Sequence, residues 1–203
     1  MRPKLLLATA NRAKLREYSV LFQASPFRLT GLTEEGITVE VGETGYTLEE
    51  NARLKAIGYA TDDRFLVLAD DSGLEVEALG GEPGPLSARY AGEGASDAER
   101  IDFLLSRLKE VPWEKRSARF RCVIAIAAGP EILELCEGEC RGVISFEPRG
   151  SQGFGYDPVF YLPELRKTMA ELSMGEKNSI SHRGIAARKA LQFLEKHAAE
   201  TNR

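Results

Sequence analysis

The fold is decided by a stretch in the first half of the chain, Phe65-Leu66-Val67-Leu68-Ala69-Asp70-Asp71-Ser72-Gly73-Leu74-Glu75-Val76. Residues 65–69 form an unbroken apolar run, which is typical of a strand buried on both faces. The acids and the Ser-Gly pair that follow predict that this strand ends at Asp70 and that the chain turns there. Beyond the turn, Leu74, Val76 and Ala78 alternate with two glutamates, which predicts a second strand with one solvent-exposed face.

Upstream and downstream of this stretch, strand and helix patterns alternate. Residues 4–8 predict a buried strand, and a helix with apolar residues at helical spacing follows the polar turn at 9–11. Residues 30–41 are irregular or strand-like. Thr47–Glu50 and Ser96–Glu99 both have the capping-box pattern that begins a helix. This alternation is typical of an α/β fold.

The second half of the chain adds a long hairpin and a final helix. Residues 118–126 alternate along one strand, and Gly129-Pro130 turns the chain into its neighbour over 132–144. A glycine-rich loop covers 149–158, and Ser181 is the expected cap of the last helix. These patterns predict an α/β fold with a mixed sheet.

Composition and charge limit the classes of protein that the chain can belong to. Of its 203 residues, 43% are hydrophobic and 29% are charged, which suits a single domain over residues 1–203 with a substantial core. No apolar stretch approaches the roughly 20 residues of a membrane helix, so no membrane partner is expected. The N-terminal apolar run is too short for a signal peptide, and we therefore expect a cytoplasmic location.

Binding to a nucleic-acid polymer is not expected, because a net charge of −4 offers no overall excess of lysine and arginine. An RNA-binding module is the reading that Lys115, Arg116, Arg119 and Arg121 would suggest. These residues alternate with apolar ones, however, and this alternation favours a solvated strand face or a subunit contact.

The cysteines are expected to pack as thiols. Cys122, Cys136 and Cys140 are odd in number, and Cys136 and Cys140 lie about 13 Å apart along a strand, too far for a disulfide. With only two histidines in the chain, a cysteine/histidine zinc site is improbable.

The first cluster of candidate functional residues is Thr9, Asn11 and Lys14, at the start of the first predicted helix. A lysine one turn into a helix, beside a polar N-terminus, is suited to binding a triphosphate. The glycines and the Gly-Lys-Ser/Thr ending of a Walker A loop are absent. Taken alone, the cluster also fits a capped helix that carries a surface lysine.

Two further clusters contain acids. Glu43 is a loop carboxylate with Asn51 and Lys55 nearby in the sequence, and Asp70 and Asp71 follow an apolar strand. Two adjacent acids there are costly unless they are solvated, paired or bound to metal. Magnesium prefers carboxylates together with substrate phosphate oxygens. A simple Asp-Ser-Gly turn is the alternative.

The fourth cluster combines the loop 154–157 with Lys177, His182 and Arg183. An aromatic residue on a loop can stack on a nucleotide base. A histidine and an arginine at a helix start can donate hydrogen bonds to carbonyl oxygens. An ordinary loop and helix cap is the alternative for this cluster.

In sequence order, five motifs resemble those of the inosine triphosphate pyrophosphatase family, the non-standard purine NTP pyrophosphatases. They are Leu7-Ala8-Thr9-Ala10-Asn11-Arg12-Ala13-Lys14; Gly42-Glu43-Thr44 with Glu50-Asn51-Ala52 and Lys55-Ala56; Ala69-Asp70-Asp71-Ser72-Gly73-Leu74, continuing through Leu79-Gly80-Gly81, Pro83-Gly84 and Ser87-Ala88-Arg89-Tyr90; Gly153-Phe154-Gly155-Tyr156-Asp157-Pro158; and Ser181-His182-Arg183-Gly184. The family usually has glycine at the position of Ala10, where alanine would be strained if the loop required a positive φ.

The resemblance implies a fold and an activity. The fold would be a long mixed twisted β-sheet flanked by helices, with a nucleotide-binding cleft between two lobes, in a homodimer. The activity would be Mg2+-dependent hydrolysis of ITP, dITP or XTP to the monophosphate and pyrophosphate.

The resemblance also implies roles for individual residues. The triphosphate would be bound by Thr9, Ala10, Asn11, Arg12, Ala13, Lys14 and Ser72. Glu43 and Asp71 would hold magnesium, Asp71 would also accept the proton from water, and Lys14 would stabilise charge on the leaving group. The base and sugar would be bound by Phe154, Gly155, Tyr156, Asp157, Lys177, His182 and Arg183.

Two alternative functions stay open at this point. A related pyrophosphatase for pyrimidine or modified nucleotides would use the same kind of cleft, although residues 154–157 and 181–183 favour a purine. A non-catalytic nucleotide sensor is the other alternative. It would not need to keep acids at Glu43, Asp70 and Asp71.

Overall fold

The computed structural model describes residues 2–61 and 65–201 and has a mixed α/β fold. The strands are β1 (Lys4–Leu7), β2 (Arg28–Gly31), β3 (Leu66–Val76), β4 (Pro83–Gly84), β5 (Ser117–Ala128), β6 (Glu131–Ile144), β7 (Phe160–Leu162) and β8 (Lys167–Thr168). The α-helices are α1 (Arg12–Leu21), α2 (Leu48–Tyr59), α3 (Asp97–Arg107), α4 (Met174–Ile180) and α5 (His182–Thr201).

The strands form a single mixed sheet flanked by helices, as predicted. Its order is β2-β1-β3-β5-β6-β7-β8, and β4 pairs with β3 outside this path. β1 is parallel to both β2 and β3, with α1 and α2 as the crossovers that parallel strands require. β7 is antiparallel to β6 and β8, and β4 is antiparallel to β3.

The predicted turn at Asp70 is wrong, because β3 continues through the acids as one strand of 11 residues. Beyond the acids, the strand pairs with β4, where Leu74 lies opposite Gly84 and Glu75 opposite Pro83. A Cβ on Gly73 would lie 2.2 Å from the carbonyl oxygen of Gly84, so this glycine permits a close approach between the strands rather than a turn.

The stretch 30–41 agrees with the irregular alternative, and one short helix was not predicted. In the stretch 30–41, only Thr30 and Gly31 belong to a strand, and residues 37–41 have no regular structure. Helix α4 was not predicted, because its 7 residues are too few to show a clear apolar period. It begins with a capping box formed by Ser173 and Glu176, and this pattern was available in the sequence.

Two compact units can be distinguished by their internal contacts. The first contains residues 1–71, 122–138 and 183–203, and the second contains 72–121 and 139–182. The assignment of residues 1–203 to a single domain stays a prediction, as does the placing of a nucleotide between two lobes.

The core of the first unit explains the unbroken apolar runs in its strands. On β1, Leu5 and Leu7 pack with Tyr18 of α1 and Leu194 of α5, in one hydrophobic cluster. Leu6 belongs to the other cluster, which contains Leu48, Ala52 and Ala56 of α2. Both faces of these strands are therefore buried under helices, as in parallel sheets generally.

The second unit has a core of its own. Leu74 and Val76 of β3 pack with Ile101, Leu104 and Leu108, the apolar face predicted for α3. The cysteines are free and buried, as predicted, and none of the described helices is long and apolar enough to cross a membrane.

Candidate functional site

The first predicted cluster lies where β1 leads into α1. Asn11 caps the helix, since its side-chain oxygen accepts hydrogen bonds from the backbone nitrogens of Ala13 (2.9 Å) and Lys14 (3.1 Å). The backbone nitrogen of Asn11 donates to Thr9 Oγ1 at 3.2 Å. Ala10 lies in this loop without a positive φ, so the alanine found in place of the family's usual glycine causes no strain.

Lys14 does not project into solvent. Its Nζ lies 3.0 Å from Asp70 Oδ2, and the two side chains are 14% and 0% exposed. The alternative of a capped helix with a surface lysine is therefore excluded for Lys14. The ammonium of Lys14 is held by the buried carboxylate of Asp70, which lies on β3.

Asp70 and Asp71 face opposite sides of β3 because successive side chains of a strand alternate. Asp70 Oδ2 is 3.0 Å from Lys14 Nζ, 3.5 Å from Arg183 Nε and 3.9 Å from Cys122 Sγ. Asp71 has different neighbours: Lys55 Nζ lies 2.9 Å from Oδ1, and Asn51 Nδ2 lies 3.3 Å from Oδ2. The nearest cation is therefore Lys14 for Asp70 and Lys55 for Asp71.

Lys55 brings the two predicted metal ligands together. Its Nζ donates to Glu43 Oε1 at 2.5 Å, to Asp71 Oδ1 at 2.9 Å and to the carbonyl oxygen of Asp70 at 2.7 Å. Asn51 and Lys55 are near Glu43 in the sequence, but their pattern there predicted no role for them in the site. Their spacing of four residues on α2 places both on the helix face that meets Asp71.

The carboxylates around Lys55 have the chemistry of magnesium ligands. Two carboxylates and one ammonium leave a net charge of −1, and both carboxylates contact the ammonium of Lys55. Within residues 2–61 and 65–201, no group of three or more His, Cys, Asp or Glu side chains could hold a metal. Magnesium commonly uses only one or two carboxylates and takes its other ligands from water and phosphate, so Glu43 and Asp71 suffice.

The surroundings of the two acids shift their pKa values in opposite directions. Burial alone would raise the pKa of Asp70, but Lys14, Arg183 and Lys55 hold that pKa well below its usual range. For Asp71, burial raises the pKa above its usual value, although Lys55 and Lys14 oppose the shift. A carboxylate with a raised pKa is the better proton acceptor of the two.

Lys55 and Cys122 illustrate the effect of the same two acids on their neighbours. Burial lowers the pKa of Lys55, but Asp71, Asp70 and Glu43 outweigh burial and keep this pKa above its usual value. Burial, with the charge of Asp70, raises the pKa of Cys122 to about 12, so this residue stays a thiol at neutral pH.

Arg183 is buried in the first unit and has two acidic neighbours. Its Nη1 donates to Glu17 Oε2 at 2.7 Å, its Nε lies 3.5 Å from Asp70 Oδ2, and the residue is 2% exposed. Glu17 was not among the predicted site residues. It lies one turn after Lys14 on α1, and this spacing was the signal that could have found it.

In the second unit, the loop 154–157 is joined to Lys177 by a buried ion pair. Lys177 Nζ donates to Asp157 Oδ2, which also accepts a hydrogen bond from the backbone nitrogen of Phe154 at 2.8 Å. The same Nζ lies 4.8 Å from the centre of the Phe154 ring, a cation–π distance. Gly153 has a φ of +75°, and a Cβ there would lie 2.0 Å from Asp157 Oδ2, so the loop requires glycine.

The other predicted base-binding residues are also held in place. The backbone nitrogen of Gly155 donates to Asp97 Oδ2 at 2.6 Å, and Tyr156 donates its hydroxyl hydrogen to the carbonyl oxygen of Ser87. His182 stacks on Phe120 with ring centres 4.7 Å apart. Ser72, in β3, is half-buried.

The basic residues near the start of β5 have structural partners. Arg116 is buried and donates to the backbone carbonyls of Leu108 and Ile144. Arg119 and Arg121 both pair with Glu75. Arg119 and Arg121 therefore lie on a strand face, as expected, whereas Arg116 precedes β5 and is buried, which differs from the solvated face expected for it.

Comparison with known proteins identifies the family. The model of the Ham1 family matches residues 5–193. The dITP/XTP pyrophosphatase of Bacillus subtilis (strain 168) is 46% identical over 190 residues, which cover 94% of this chain and 96% of that protein. The dITP/XTP pyrophosphatase of Desulforamulus reducens is 49% identical over 193 residues, covering 95% of this chain and 96% of that protein.

Solved structures agree with the sequence comparisons. A HAM1 protein from Coxiella burnetii has a TM-score of 0.86 and 42% identity, covering 95% of this chain and 98% of its own. The Ham1 protein of Staphylococcus aureus has a TM-score of 0.82 and 41% identity, covering 96% and 99%. These matches confirm the resemblance seen in the five motifs, and the chain belongs to the Ham1 family.

Proposed function

We propose that this protein hydrolyses non-standard purine nucleoside triphosphates, such as dITP, ITP and XTP, to the monophosphate and pyrophosphate. The arrangement on β3 carries the proposal, since Asp71 and Glu43 converge on Lys55 while Lys14 is held by Asp70. The relatives named dITP/XTP pyrophosphatase, at 46% and 49% identity, support the choice of substrate.

Magnesium is the proposed metal, held by Glu43 and Asp71. When bound, the ion would neutralise the triphosphate and polarise the phosphorus centre. Lys55 donates a hydrogen bond to each of these carboxylates, and Asn51 donates to the second oxygen of Asp71. The ligands are therefore oriented by α2 before any substrate arrives.

Asp71 is the proposed proton acceptor for the water that attacks the α-phosphate and releases pyrophosphate. Its raised pKa favours accepting a proton, and its place on an internal strand keeps the carboxylate rigid. Residues 9–14 and Ser72 would bind the triphosphate. Lys14 would stabilise negative charge on the departing pyrophosphate, an electrostatic role common in phosphoryl transfer.

Base recognition is assigned to the loop 154–157, Lys177, His182 and Arg183. A 6-keto purine presents an acceptor where adenine presents an amine, so a fixed donor binds the keto form more tightly. Lys177 and Arg183 are such donors, and Asp157 and Glu17 fix their directions. If an amine faced either side chain, the N–H group pointing at the base would have no acceptor, at a cost of about 1–3 kcal/mol.

A homodimer and a cytoplasmic location complete the proposal, and both rest on the sequence analysis. The mass of the protein in solution, measured by size-exclusion chromatography with light scattering, tests the dimer. A mass near 22.4 kDa, that of one chain, would contradict it.

A nucleotide panel tests the activity. The purified protein is incubated with Mg2+ and ITP, dITP, XTP, GTP, ATP, CTP or UTP, and pyrophosphate and orthophosphate are assayed separately. We expect IMP and pyrophosphate in equal amounts from ITP, with little turnover of ATP. Orthophosphate with IDP would contradict attack at the α-phosphate, preferred cleavage of CTP or UTP would support the pyrimidine alternative, and binding without turnover would support a sensor.

A further inference from the structure

The two adjacent acids of β3 differ in what surrounds them. Asp71 lies among the groups proposed for metal binding, whereas the Asp70 side chain is fully buried between cations from two helices. Lys14 comes from α1 and Arg183 from α5. The resemblance gives Asp70 only a position next to Asp71, and the proposed mechanism leaves it without a task.

We propose that Asp70 is a positioning residue for the polyphosphate site, because its carboxylate fixes the ammonium of Lys14, while Arg183 helps to neutralise the same carboxylate. The two acids of β3 thus have separate roles. Asp71, on one face, would bind the metal and accept a proton from water, and Asp70, on the other face, holds the cations. This inference rests on the proposed function in one respect, that Lys14 binds phosphate.

The charges of this group make the arrangement stable. Lys14 and Arg183 carry two positive charges, and Asp70 and Glu17 carry two negative ones, so the four side chains are neutral together. A buried carboxylate that lost its cations would be strongly destabilising, which ties Asp70 to Lys14 and Arg183. An ammonium has three donors, and a single bond to Asp70 does not exhaust them.

Anchoring matters because a lysine side chain is flexible. Holding a long side chain in one geometry costs conformational entropy, and a binding site that does so in advance binds its ligand more tightly. Asp70 can provide this order, since it lies on β3, an internal strand between β1 and β5, two residues after the last pair with β1. Lys14 is thereby placed by the sheet rather than by its own helix alone.

A double-mutant cycle tests whether Asp70 acts through Lys14. Asp70→Asn, Lys14→Met and the double variant are compared with the wild type for binding of inorganic tripolyphosphate with Mg2+, by titration calorimetry, and for KM and kcat with ITP. We expect Asp70→Asn to raise the Kd of tripolyphosphate and the KM of ITP about tenfold or more, the scale of one charge-assisted hydrogen bond. In the Lys14→Met background the same change should add less than about twofold, because Asp70 then has no ammonium to place.

Several results would overturn the proposal. The first is that the wild type does not bind tripolyphosphate. The second is that Asp70→Asn leaves the Kd of tripolyphosphate unchanged or lowers it. The third is that the Kd of the double variant changes by the product of the two single-variant factors. A fall in melting temperature with an unchanged Kd would likewise show that Asp70 only supports the fold. If Asp70→Asn does not fold, Asp70→Glu keeps the charge but displaces the carboxylate, and it should raise the same KM with kcat little changed. An unchanged KM in that variant would also overturn the proposal.

Glu35→Gln is the matched control. Glu35 is a largely buried carboxylate of the same unit that pairs with Lys4 at 2.8 Å, so its loss should lower the melting temperature without altering the Kd of tripolyphosphate. Failure of the proposed function has a different signature. If the cycle shows coupling but no purine triphosphate is cleaved, the role of Asp70 stands and the assigned reaction fails.

Discussion

Asp71→Asn is the most direct test of the chemistry on β3. Asparagine keeps the size of the side chain, and its oxygen can still accept the hydrogen bond from Lys55 that now measures 2.9 Å. Two properties are lost, namely a negative ligand for magnesium and a group able to take a proton from water. The packing around α2 should therefore survive while the chemistry does not.

The expected loss of turnover is at least about a hundredfold, in line with the ~10²–10⁴ credited to a positioned acid or base. A hundredfold loss corresponds to about 2.7 kcal/mol in the activation free energy. We expect the melting temperature to change little, because burial already raises the pKa of Asp71 and its ionisation therefore costs the folded protein free energy. Removing that charge offsets part of the lost attraction to Lys55.

The assay is pyrophosphate release from saturating ITP with Mg2+, together with thermal unfolding followed by circular dichroism. Glu75→Gln is the matched control, because Glu75 also lies on β3 but pairs with Arg119 and Arg121 and should leave turnover unchanged. A folded Asp71→Asn protein that kept more than a tenth of the normal rate would refute the assignment. Glu43 would then be the candidate base.

Three further changes follow from the same contacts. Lys14→Ala should weaken triphosphate binding and also lower the melting temperature, because it leaves buried Asp70 with fewer cations; a normal KM for ITP would remove Lys14 from the site. Arg183→Ala should reduce ITP cleavage tenfold or more, and it should bring the kcat/KM for ITP closer to the kcat/KM for ATP. If both values fall by the same factor, Arg183 does not recognise the base. Stability should fall as pH drops below the unfolded pKa of about 3.9, because the pKa of Asp70 is lower in the folded protein and its stabilising contribution is present above that pH. Asp70→Asn should flatten this acid limb in urea titrations at several pH values, and an unchanged limb would contradict the pairing.

The sequence was sufficient for elements whose pattern is local. Helices α2 and α3 begin at the capping boxes that Thr47 and Ser96 predicted, with both reciprocal hydrogen bonds present. The apolar alternation of β5 and β6 likewise predicted neighbouring strands. In these elements, the pattern that predicts the structure lies within the segment itself.

The residues that pair with the site residues could not be predicted from local sequence patterns. Nothing near Asp70 in the sequence indicates that Lys14 and Arg183 will meet it, because the ion pairs join α1, β3 and α5. The same limit explains the wrong turn at Asp70. Burying two ionised acids in a strand costs too much free energy unless cations pair with them, and here the cations come from helices that are distant in the sequence.

The continuity of β3 is what separates the roles of the two acids. A turn at Asp70 would have left the relative directions of both carboxylates open, whereas an extended backbone from Leu66 to Val76 forces neighbours onto opposite faces. The register is fixed before the acids by the pairing of Leu5 with Leu66 and Leu7 with Leu68. It is fixed after them by the close contact of Gly73 with β4. A slip of one residue would exchange the faces of Asp70 and Asp71, so the register of this strand decides which carboxylate meets Lys14 and which meets Lys55.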